Sequence, residues 1–205
     1  VQQRVLRMSF TQEVKEAGEF WNKLEYEVAS LVNSEDKKLK EIRTSAYRVQ
    51  DIIEDAQRRF DDILDPEIGN PMDYIKEGHT NIINISELSE KQANVAMGFY
   101  LQQLLKDRKN ATIAKHGKSK KQKDYKFFEP VFIILEEAHV FIPKDHDTAA
   151  KYWAAKIARE GRKFGVGLAI VSQRPRSVDL NILSQMGSFA IMKIIQEDDQ
   201  RQIAS

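Results

Sequence analysis

A short apolar run that ends in two acids constrains the fold more than any other feature of this chain. Residues 131–135 (VFIIL) are apolar and largely β-branched, and Glu136 and Glu137 follow immediately. A run this short and uninterrupted is typical of a strand buried on both faces, as in a parallel sheet. In open α/β sheets, ligands bind outside the carboxyl ends of such strands. We therefore expect both carboxylates to lie where a ligand would bind.

The carboxyl-terminal two thirds alternate between strand and helix patterns. Such alternation indicates βαβ units and a mostly parallel sheet flanked by helices, an α/β fold. Ser89 and Gln92 have the spacing of a helix capping box. The predicted strands are Asn81–Ile85, 131–135, Gly167–Ser172 and Phe189–Ile194, and the predicted helices are Ser89–Lys109, Thr148–Phe164, Asp179–Gln185 and one that begins near Asp198.

The first third has two apolar stripes at heptad spacing, which is typical of a narrow helix–helix seam. They comprise Val14, Ala17, Trp21, Leu24, Val28 and Leu31, then Leu39, Ile42, Ala46, Val49, Ile53, Ala56, Phe60 and Ile63. The turn at 33–36, with Ser34 as N-cap, predicts an antiparallel helical hairpin whose second arm is about 40 Å long. A coiled-coil dimerisation arm is the alternative. Two prolines and two glycines at 65–78 predict a boundary between a helical unit, 1–78, and an α/β unit, 79–205.

Composition limits the possible classes of protein. The 205 residues carry a net charge of +1 and include no cysteine, so disulfide and thiolate metal sites are excluded and we expect a cytoplasmic protein. No stretch approaches the roughly 18–20 apolar residues that span a bilayer, so we expect no integral membrane protein. The chain begins at Val1 rather than at a methionine, which indicates a fragment.

The two acids have a structural and a functional interpretation of about equal weight. A buried strand that ends in two solvated acids is common. Alternatively, Glu136 binds Mg²⁺ through its water shell, while Glu137 orients and deprotonates the attacking water. His139 follows without a second histidine or acid at ligand spacing, so we expect a hydrogen-bonding or packing role rather than a metal site.

Two further segments carry candidate residues. Arg162 lies in AREGRKFG at a predicted helix end, where basic residues ordinarily favour the helix dipole. Its functional interpretation is an arginine finger for a neighbouring subunit's site, which the segment alone does not favour. Gln173, at another strand end, is suited to contact a γ-phosphate or to position water. Arg174 beside it is a candidate nucleotide-binding residue.

The segment 115–126 holds six lysines against one aspartate and predicts an exposed loop. Gly117-Lys118-Ser119 matches only the end of a phosphate-binding loop, since Thr112 stands where the first glycine belongs. We reject it as a nucleotide site. Lys118, Lys120, Lys121 and Lys123 are candidates for non-specific contacts with DNA phosphates, although most such runs are merely solvated.

Three segments that follow one another along the chain resemble the HerA family of archaeal hexameric DNA-translocating ATPases, which are related to the FtsK and VirB4 motors. The segments are FIILEEAHVFIP, AAKIAREGRKFGVGLAIVSQRPRSV and DLNILSQMGSFAIMKIIQEDDQRQI. NIINISELSE resembles it more loosely. The resemblance implies the carboxyl-terminal part of a RecA-like P-loop NTPase core with a helical insertion. It also implies that Glu136 and Glu137 carry the Mg²⁺ and water chemistry, that Arg162 is the finger in trans and that Gln173 is the sensor.

The same resemblance implies ATP and Mg²⁺ as cofactors, a homohexamer around double-stranded DNA, and a NurA-type nuclease partner in processing DNA ends. The family's phosphate loop lies upstream and is absent from these 205 residues, so we expect the chain alone to hydrolyse no ATP. A non-catalytic interaction module is the alternative: a degenerate ATPase domain whose hairpin binds a partner. Exposed apolar residues along the hairpin seam would favour that alternative.

Overall fold

The structure is a computed structural model that describes residues 20–33, 43–60, 71–115, 126–127 and 129–193. The chain divides between Asp73 and Tyr74 into two compact units. Short 3₁₀ segments occur at Pro71–Tyr74, Gly161–Phe164 and Pro175–Ser177. The helices and strands are α1 (Phe20–Asn33), α2 (Arg43–Phe60), α3 (Glu90–Lys115), β1 (Val131–Leu135), α4 (Ala138–Phe141), α5 (Ala149–Glu160), β2 (Val166–Ile170) and α6 (Leu180–Leu183).

In the amino-terminal unit, α1 and α2 pack on each other along the predicted stripes. Leu31, Ala56 and Phe60 are partly buried beside the seam. Its buried members are Trp21, Leu24, Val28, Val32, Ala46, Val49 and Ile53. Of the remaining predicted features, Val14, Ala17, Ser34, Leu39, Ile42 and Ile63 lie outside the described residues. At 1.5 Å per residue the 18 residues of α2 account for roughly 27 Å of the second arm.

In the carboxyl-terminal unit, β1 and β2 form a two-stranded parallel sheet in the described part of the chain. Val131 pairs with Val166 and Leu135 with Ile170, so the strands run in register over their whole length. Helix α3 packs against α5, and both cover the sheet. The parallel pairing and the predicted helices at 89, 148 and 179 are confirmed, although α3 ends at Lys115 rather than Lys109.

The capping box explains where α3 begins. The Ser89 backbone N–H donates to Gln92 Oε1 over 2.8 Å, and the Gln92 N–H donates to Ser89 Oγ over 3.4 Å. These reciprocal bonds satisfy backbone donors that the first helical turn leaves unpaired. The predicted helix start is therefore correct.

Near its other end, α3 holds the amino ends of both strands. The buried Arg108 guanidinium donates to the backbone oxygens of Phe127 and Phe164, each over 3.0 Å. Asp107 accepts the backbone N–H groups of Lys126 and Phe127. Removing acceptors from a buried cation is costly, so these contacts hold the segments that lead into both strands against α3.

One prediction about β1 is wrong, because the strand is not buried on both faces. Phe132 and Ile134 are 69% and 61% exposed, whereas Leu135 is 1% exposed and Ile133 packs against the core. The described helices of this unit cover only one face of the sheet. The uninterrupted apolar run therefore reflects a second apolar face that the described residues leave uncovered.

The predicted strands at Asn81–Ile85 and Phe189–Ile194 are also wrong. The described residues of both segments have no regular structure, and Ile82 and Met192 are 90% and 86% exposed. A strand requires a neighbour to bond its backbone, and neither β1 nor β2 pairs with these segments. Ile194 and the predicted helix near Asp198 lie outside the described residues.

The crossing of α3 and α5 depends on Gly98. A Cβ added there would lie 2.8 Å from the Cβ of Ala149 and 3.0 Å from its carbonyl carbon. We expect Gly98→Ala to lower the free energy of unfolding by about 1–3 kcal/mol, because overpacking outweighs the gain in helix propensity. Urea unfolding of the purified chain measures the change.

Gly187→Ala is the control for this prediction, since a Cβ there meets nothing within 4 Å. We expect it to leave the free energy of unfolding unchanged or slightly higher. If Gly98→Ala unfolds at the same urea concentration as the parent chain, the close crossing of α3 and α5 is not a constraint on stability.

Candidate active site

The carboxyl ends of β1 and β2 bring the two predicted site segments together. Beyond the strands, the Val171 N–H donates to Leu135 O and the Ala138 N–H donates to Val171 O, both over 2.9 Å. The turn with Glu136 and Glu137 therefore lies against the segment 171–174. Since parallel strands end at the same edge of a sheet, this arrangement follows from the register of the pair.

Glu137 has an unusual backbone conformation. Its φ of 47° and ψ of 43° lie in the left-handed region, and no other non-glycine residue among those described has a positive φ. This conformation costs an L-residue roughly 1–2 kcal/mol, and such strain is often concentrated at functional sites. The turn reverses the chain directly after β1, so that Glu137 comes immediately before α4.

Each oxygen of the Glu137 carboxylate faces one side-chain nitrogen. Gln173 Nε2 lies 3.3 Å from Oε1, and His139 Nδ1 lies 3.3 Å from Oε2. The side chain is 51% exposed, so water still reaches the group. A carboxylate has about four lone-pair positions, which leaves two for water. The geometry suits a carboxylate that must accept a proton from a held water molecule.

Glu136 and Arg174 are placed differently. Glu136 is exposed, and within the described residues its carboxylate makes no hydrogen bond or ion pair. Arg174 donates its backbone N–H to Ser172 Oγ over 3.0 Å, while its side chain is exposed. Both groups lie at the same edge as Glu137. Of the two adjacent acids, only Glu137 is held by neighbouring side chains.

Arg162 lies at the opposite end of the strands. It precedes β2 and lines a shallow cavity of about 330 Å³ with Pro130, Phe132 and Gly167. The five residues of β1 separate this edge from Glu137 by roughly 15 Å at 3.3 Å per residue. Within one chain, the structure therefore does not bring Arg162 to Glu137.

The remaining expectations from the sequence concern the lysine-rich segment, metal binding and membrane-spanning helices. Lys118, Lys120, Lys121 and Lys123 lie outside the described residues. Across the described ranges no group of three or more metal-ligating side chains could hold a metal ion. Nor does any described helix have the length and apolar character needed to cross a membrane.

Comparison with known proteins identifies the family. No protein-family model matches the chain. It is 38% identical over 213 aligned positions to a protein of Sulfurisphaera tokodaii and 37% identical over 218 to one of Sulfolobus acidocaldarius, each alignment covering 99% of this chain. Both are named DNA double-strand break repair helicase HerA. The chain belongs to the HerA family.

A HerA protein of Pyrococcus furiosus, with the same name, is 32% identical over 88% of the chain. The predicted resemblance is thus confirmed. The chain spans about two fifths of the curated HerA relatives it matches, 41% for the first two and 35% for the third. The parallel pair that carries Glu137 and Gln173 is consistent with part of a P-loop NTPase.

Sequence reasoning missed the backbone bonds that join the segments following the two candidate-site turns in this HerA-family chain. The Lys144 N–H donates to Ser177 O over 2.9 Å, and the Asp179 N–H donates to Ile142 O over 3.0 Å. An isolated antiparallel bridge joins Pro143 to Val178 between them. These contacts link residues more than 30 positions apart, so no local pattern indicates them.

A buried ion pair anchors the same region. Lys151 Nζ lies 3.0 Å from Asp179 Oδ2, and Asp179 also accepts the N–H groups of Asn181 and Ile182 as the N-cap of α6. Burial alone would raise the pKa of Asp179, but these bonds more than compensate and lower it. Burial likewise opposes the charge of Lys151, yet Asp179 and Asp147 raise its pKa overall.

The lowered pKa of Asp179 gives a pH-dependent prediction. The contribution of this carboxylate to stability is complete above its unfolded pKa of about 3.9 and is lost as the pH falls through the lower folded value. We expect Asp179→Asn to unfold about 1–3 kcal/mol more easily at pH 7, because Lys151 loses a buried partner. The difference should shrink below about pH 4 in urea titrations at several pH values.

Asp147→Asn is the matched control, because Asp147 also lies near Lys151, at 3.4 Å, but its side chain is 98% exposed. We expect this variant to behave as the parent does at both pH values. A difference between parent and Asp179→Asn that is the same at pH 7 and pH 3 would contradict the role of the ionised Asp179.

Proposed function

We propose that this chain is the carboxyl-terminal part of an ATP-dependent double-stranded DNA translocase and helicase that acts in DNA end processing and recombinational repair. The observation that carries the proposal is the contact of 3.3 Å between Gln173 and Glu137 at the carboxyl edge of the parallel pair. It brings together an acid and an amide for which the sequence independently suggests roles in hydrolysis. The repair-helicase names of the relatives also support it.

In the proposed mechanism Glu137 is the general base. Gln173 and His139 each occupy one side of its carboxylate, and the exposed lone pairs orient a water molecule and accept its proton. Gln173 keeps its amide oxygen available for the same water, because its Nε2 is the atom that contacts Glu137. The position of Gln173 between the proposed base and the turn before α6 supports a sensor role.

ATP and Mg²⁺ fit the chemistry of this edge in part. The exposed carboxylate of Glu136 is a hard oxygen group that would hold the cation through its water shell, and Arg174 would face the nucleotide. When bound, ATP would supply the phosphoryl group that is transferred to water, and Mg²⁺ would neutralise charge on the phosphate oxygens. The 205 residues contain no complete glycine-rich phosphate loop. Residues outside this sequence would hold the phosphates, so we expect this chain alone to be inactive.

The position of Arg162 supports a role in trans. At the far edge of its own sheet it is separated from Glu137 by the length of β1, yet it is exposed and lies beside an open cavity. A homohexamer would present this edge to the next subunit's nucleotide site. Double-stranded DNA would pass through the ring, with the lysines of residues 118–123 as candidate phosphate contacts, and a NurA-type nuclease would be the partner.

The alternative of a non-catalytic interaction module receives less support. It called for exposed apolar residues along the hairpin seam, but Trp21, Leu24, Val28, Val49 and Ile53 are all buried there. In the described residues, the apolar seam is buried between α1 and α2 of the same unit. It is therefore not a free surface for a partner helix.

Glu137→Gln in the full-length protein tests the proposed base. The amide keeps the size of the side chain but cannot accept the proton, so we expect ATP hydrolysis to fall at least about 100-fold. The affinity for ATP should stay within about three-fold of the parent value. Steady-state hydrolysis and equilibrium nucleotide binding measure the two quantities.

Glu54→Gln is a matched control, since Glu54 is exposed on α2 in the amino-terminal unit. It should hydrolyse ATP at the parent rate. Substantial turnover by Glu137→Gln would remove Glu137 from the role of base.

Mixing two inactive variants tests the finger in trans. Arg162→Ala subunits keep Glu137, and Glu137→Gln subunits keep Arg162, so a mixed ring contains some complete composite sites. We expect each variant alone to be nearly inactive, and hydrolysis to reappear on mixing because a finger contributes roughly 10³–10⁵-fold. Turnover is measured against the mixing ratio at constant total protein.

The control mixes Arg162→Ala with the double variant Arg162→Ala/Glu137→Gln, which supplies no finger. This mixture should stay inactive. Absence of rescue in the first mixture, with hexamers present, would mean that Arg162 does not act on a neighbouring subunit.

A further inference from the structure

His139 lies between the proposed base and the end of β2. Its Nδ1 atom is 3.3 Å from Glu137 Oε2 and 3.2 Å from Ser172 Oγ. The side chain is 17% exposed, compared with 51% for Glu137. A mostly buried ring thus faces a mostly exposed carboxylate. Because burial restricts the ring more than the carboxylate, we expect His139 to limit the motion of the Glu137 side chain.

The contact with Glu137 bears on which ring nitrogen of His139 carries a hydrogen. An ionised carboxylate only accepts hydrogen bonds, so an attractive contact with Glu137 requires Nδ1–H. Ser172 Oγ, which accepts the Arg174 N–H over 3.0 Å, lies 3.2 Å from the same Nδ1 atom. With the hydrogen on Nδ1, the imidazole faces the carboxylate of the turn after β1 and the hydroxyl of the turn after β2 from a single ring nitrogen.

This arrangement is not that of a nucleophilic serine hydrolase. Such a triad places the serine on one ring nitrogen and the acid on the other, so that a proton passes through the ring. Here Ser172 and Glu137 share Nδ1. The geometry suits the orientation of a carboxylate, not the activation of Ser172.

The backbone that carries His139 is itself fixed. The buried Asn94 of α3 donates from Nδ2 to Val140 O over 3.0 Å and to Glu90 O over 3.1 Å. The Ala138 N–H bonds to Val171 O on the other side. Helix α4 is thereby held between α3 and the end of β2, and the imidazole has a defined place from which to contact Glu137.

We propose that His139 is the positioning residue for Glu137, with Ser172 as the anchor of its ring; this inference rests on the proposed function of Glu137 as base. Ser172 and Gln173 are neighbours, so one turn controls both carboxylate oxygens, Oε2 through His139 and Oε1 through Gln173. The left-handed backbone of Glu137 directs the side chain towards this turn. The two contacts then select one orientation of the carboxylate.

Three substitutions of His139 in the full-length protein separate positioning from packing. Asparagine places an amide nitrogen near the position of Nδ1, glutamine places one near Nε2, and alanine removes both. We expect His139→Ala to lower kcat by roughly 10- to 100-fold, because displacement of a catalytic group by about 1 Å has effects of that size. KM and the affinity for ATP should change less than about three-fold, because the ring is largely buried beside Glu137 and Ser172.

The comparison of the two amides decides the question. His139→Asn should recover kcat to within about five-fold of the parent, while His139→Gln should stay as low as His139→Ala. A general packing role predicts no preference for asparagine. If all three variants lose kcat equally, or if His139→Ala keeps the parent kcat, the proposal is overturned. Should the alanine variant fail to fold, the asparagine and glutamine pair still gives the answer.

Ser172→Ala provides a second measurement. It removes the anchor but leaves Nδ1–H free to donate to Glu137, so its loss of kcat should be smaller than that of His139→Ala. Because the two residues act through the same contact, the double variant should be no worse than His139→Ala alone. Fully additive losses would contradict a shared role.

His146→Ala is the control histidine, because its side chain is exposed and only its backbone oxygen is bonded, to Lys151. It should have the parent kcat. The outcome for Glu137→Gln separates the two levels of the proposal. If that variant is active, the proposed base is wrong; if it is inactive while the His139 variants are normal, only the positioning role is wrong.

Discussion

The in-register parallel pairing of β1 and β2 is the constraint on which the candidate site depends. Two strands that run the same way end at one edge, and the bonds of Val171 with Leu135 and Ala138 extend the pairing into both turns. Glu137 and Gln173 meet only because of that register. A shift by one residue would turn every side chain of a strand to the other face. It would also carry the amide out of reach of the carboxylate.

Strain and bonding act together at the edge so formed. The left-handed conformation of Glu137 is unfavourable by itself. It persists because the residues that follow are fixed by the hydrogen bonds of the Ala138 and Val140 backbone and by the bridge between Pro143 and Val178. An ordinary solvated acid at a strand end has no need of such a backbone. Belonging to the HerA family gives the edge a context, but the case for Glu137 over Glu136 comes from these local contacts.

Patterns that are local in sequence predicted their structures well. The run at 131–135, the capping box at Ser89 and the heptad stripes are each periodic or local patterns within one element, and the two stripes pack on each other. The strands expected near residues 81 and 189 failed because a strand depends on a distant neighbour, which composition does not reveal. The contact of His139 with Ser172, which are 33 positions apart, was beyond prediction for the same reason. Gln173 was predicted as a site residue from its place at a strand end and from the resemblance to the HerA family, not from any contact with Glu137.

Helix α3 touches the sheet near both of its edges, through Asn94 beyond the carboxyl end of β1 and through Arg108 at the amino ends of both strands. The 14 positions between them correspond to roughly 21 Å of helix. Helix α3 thus sets the distance between the edge that carries Glu137 and the edge that carries Arg162. A single inserted residue in α3 would turn Arg108 by about 100° relative to Asn94. The length of this helix accordingly sets how far apart the two edges of the sheet lie.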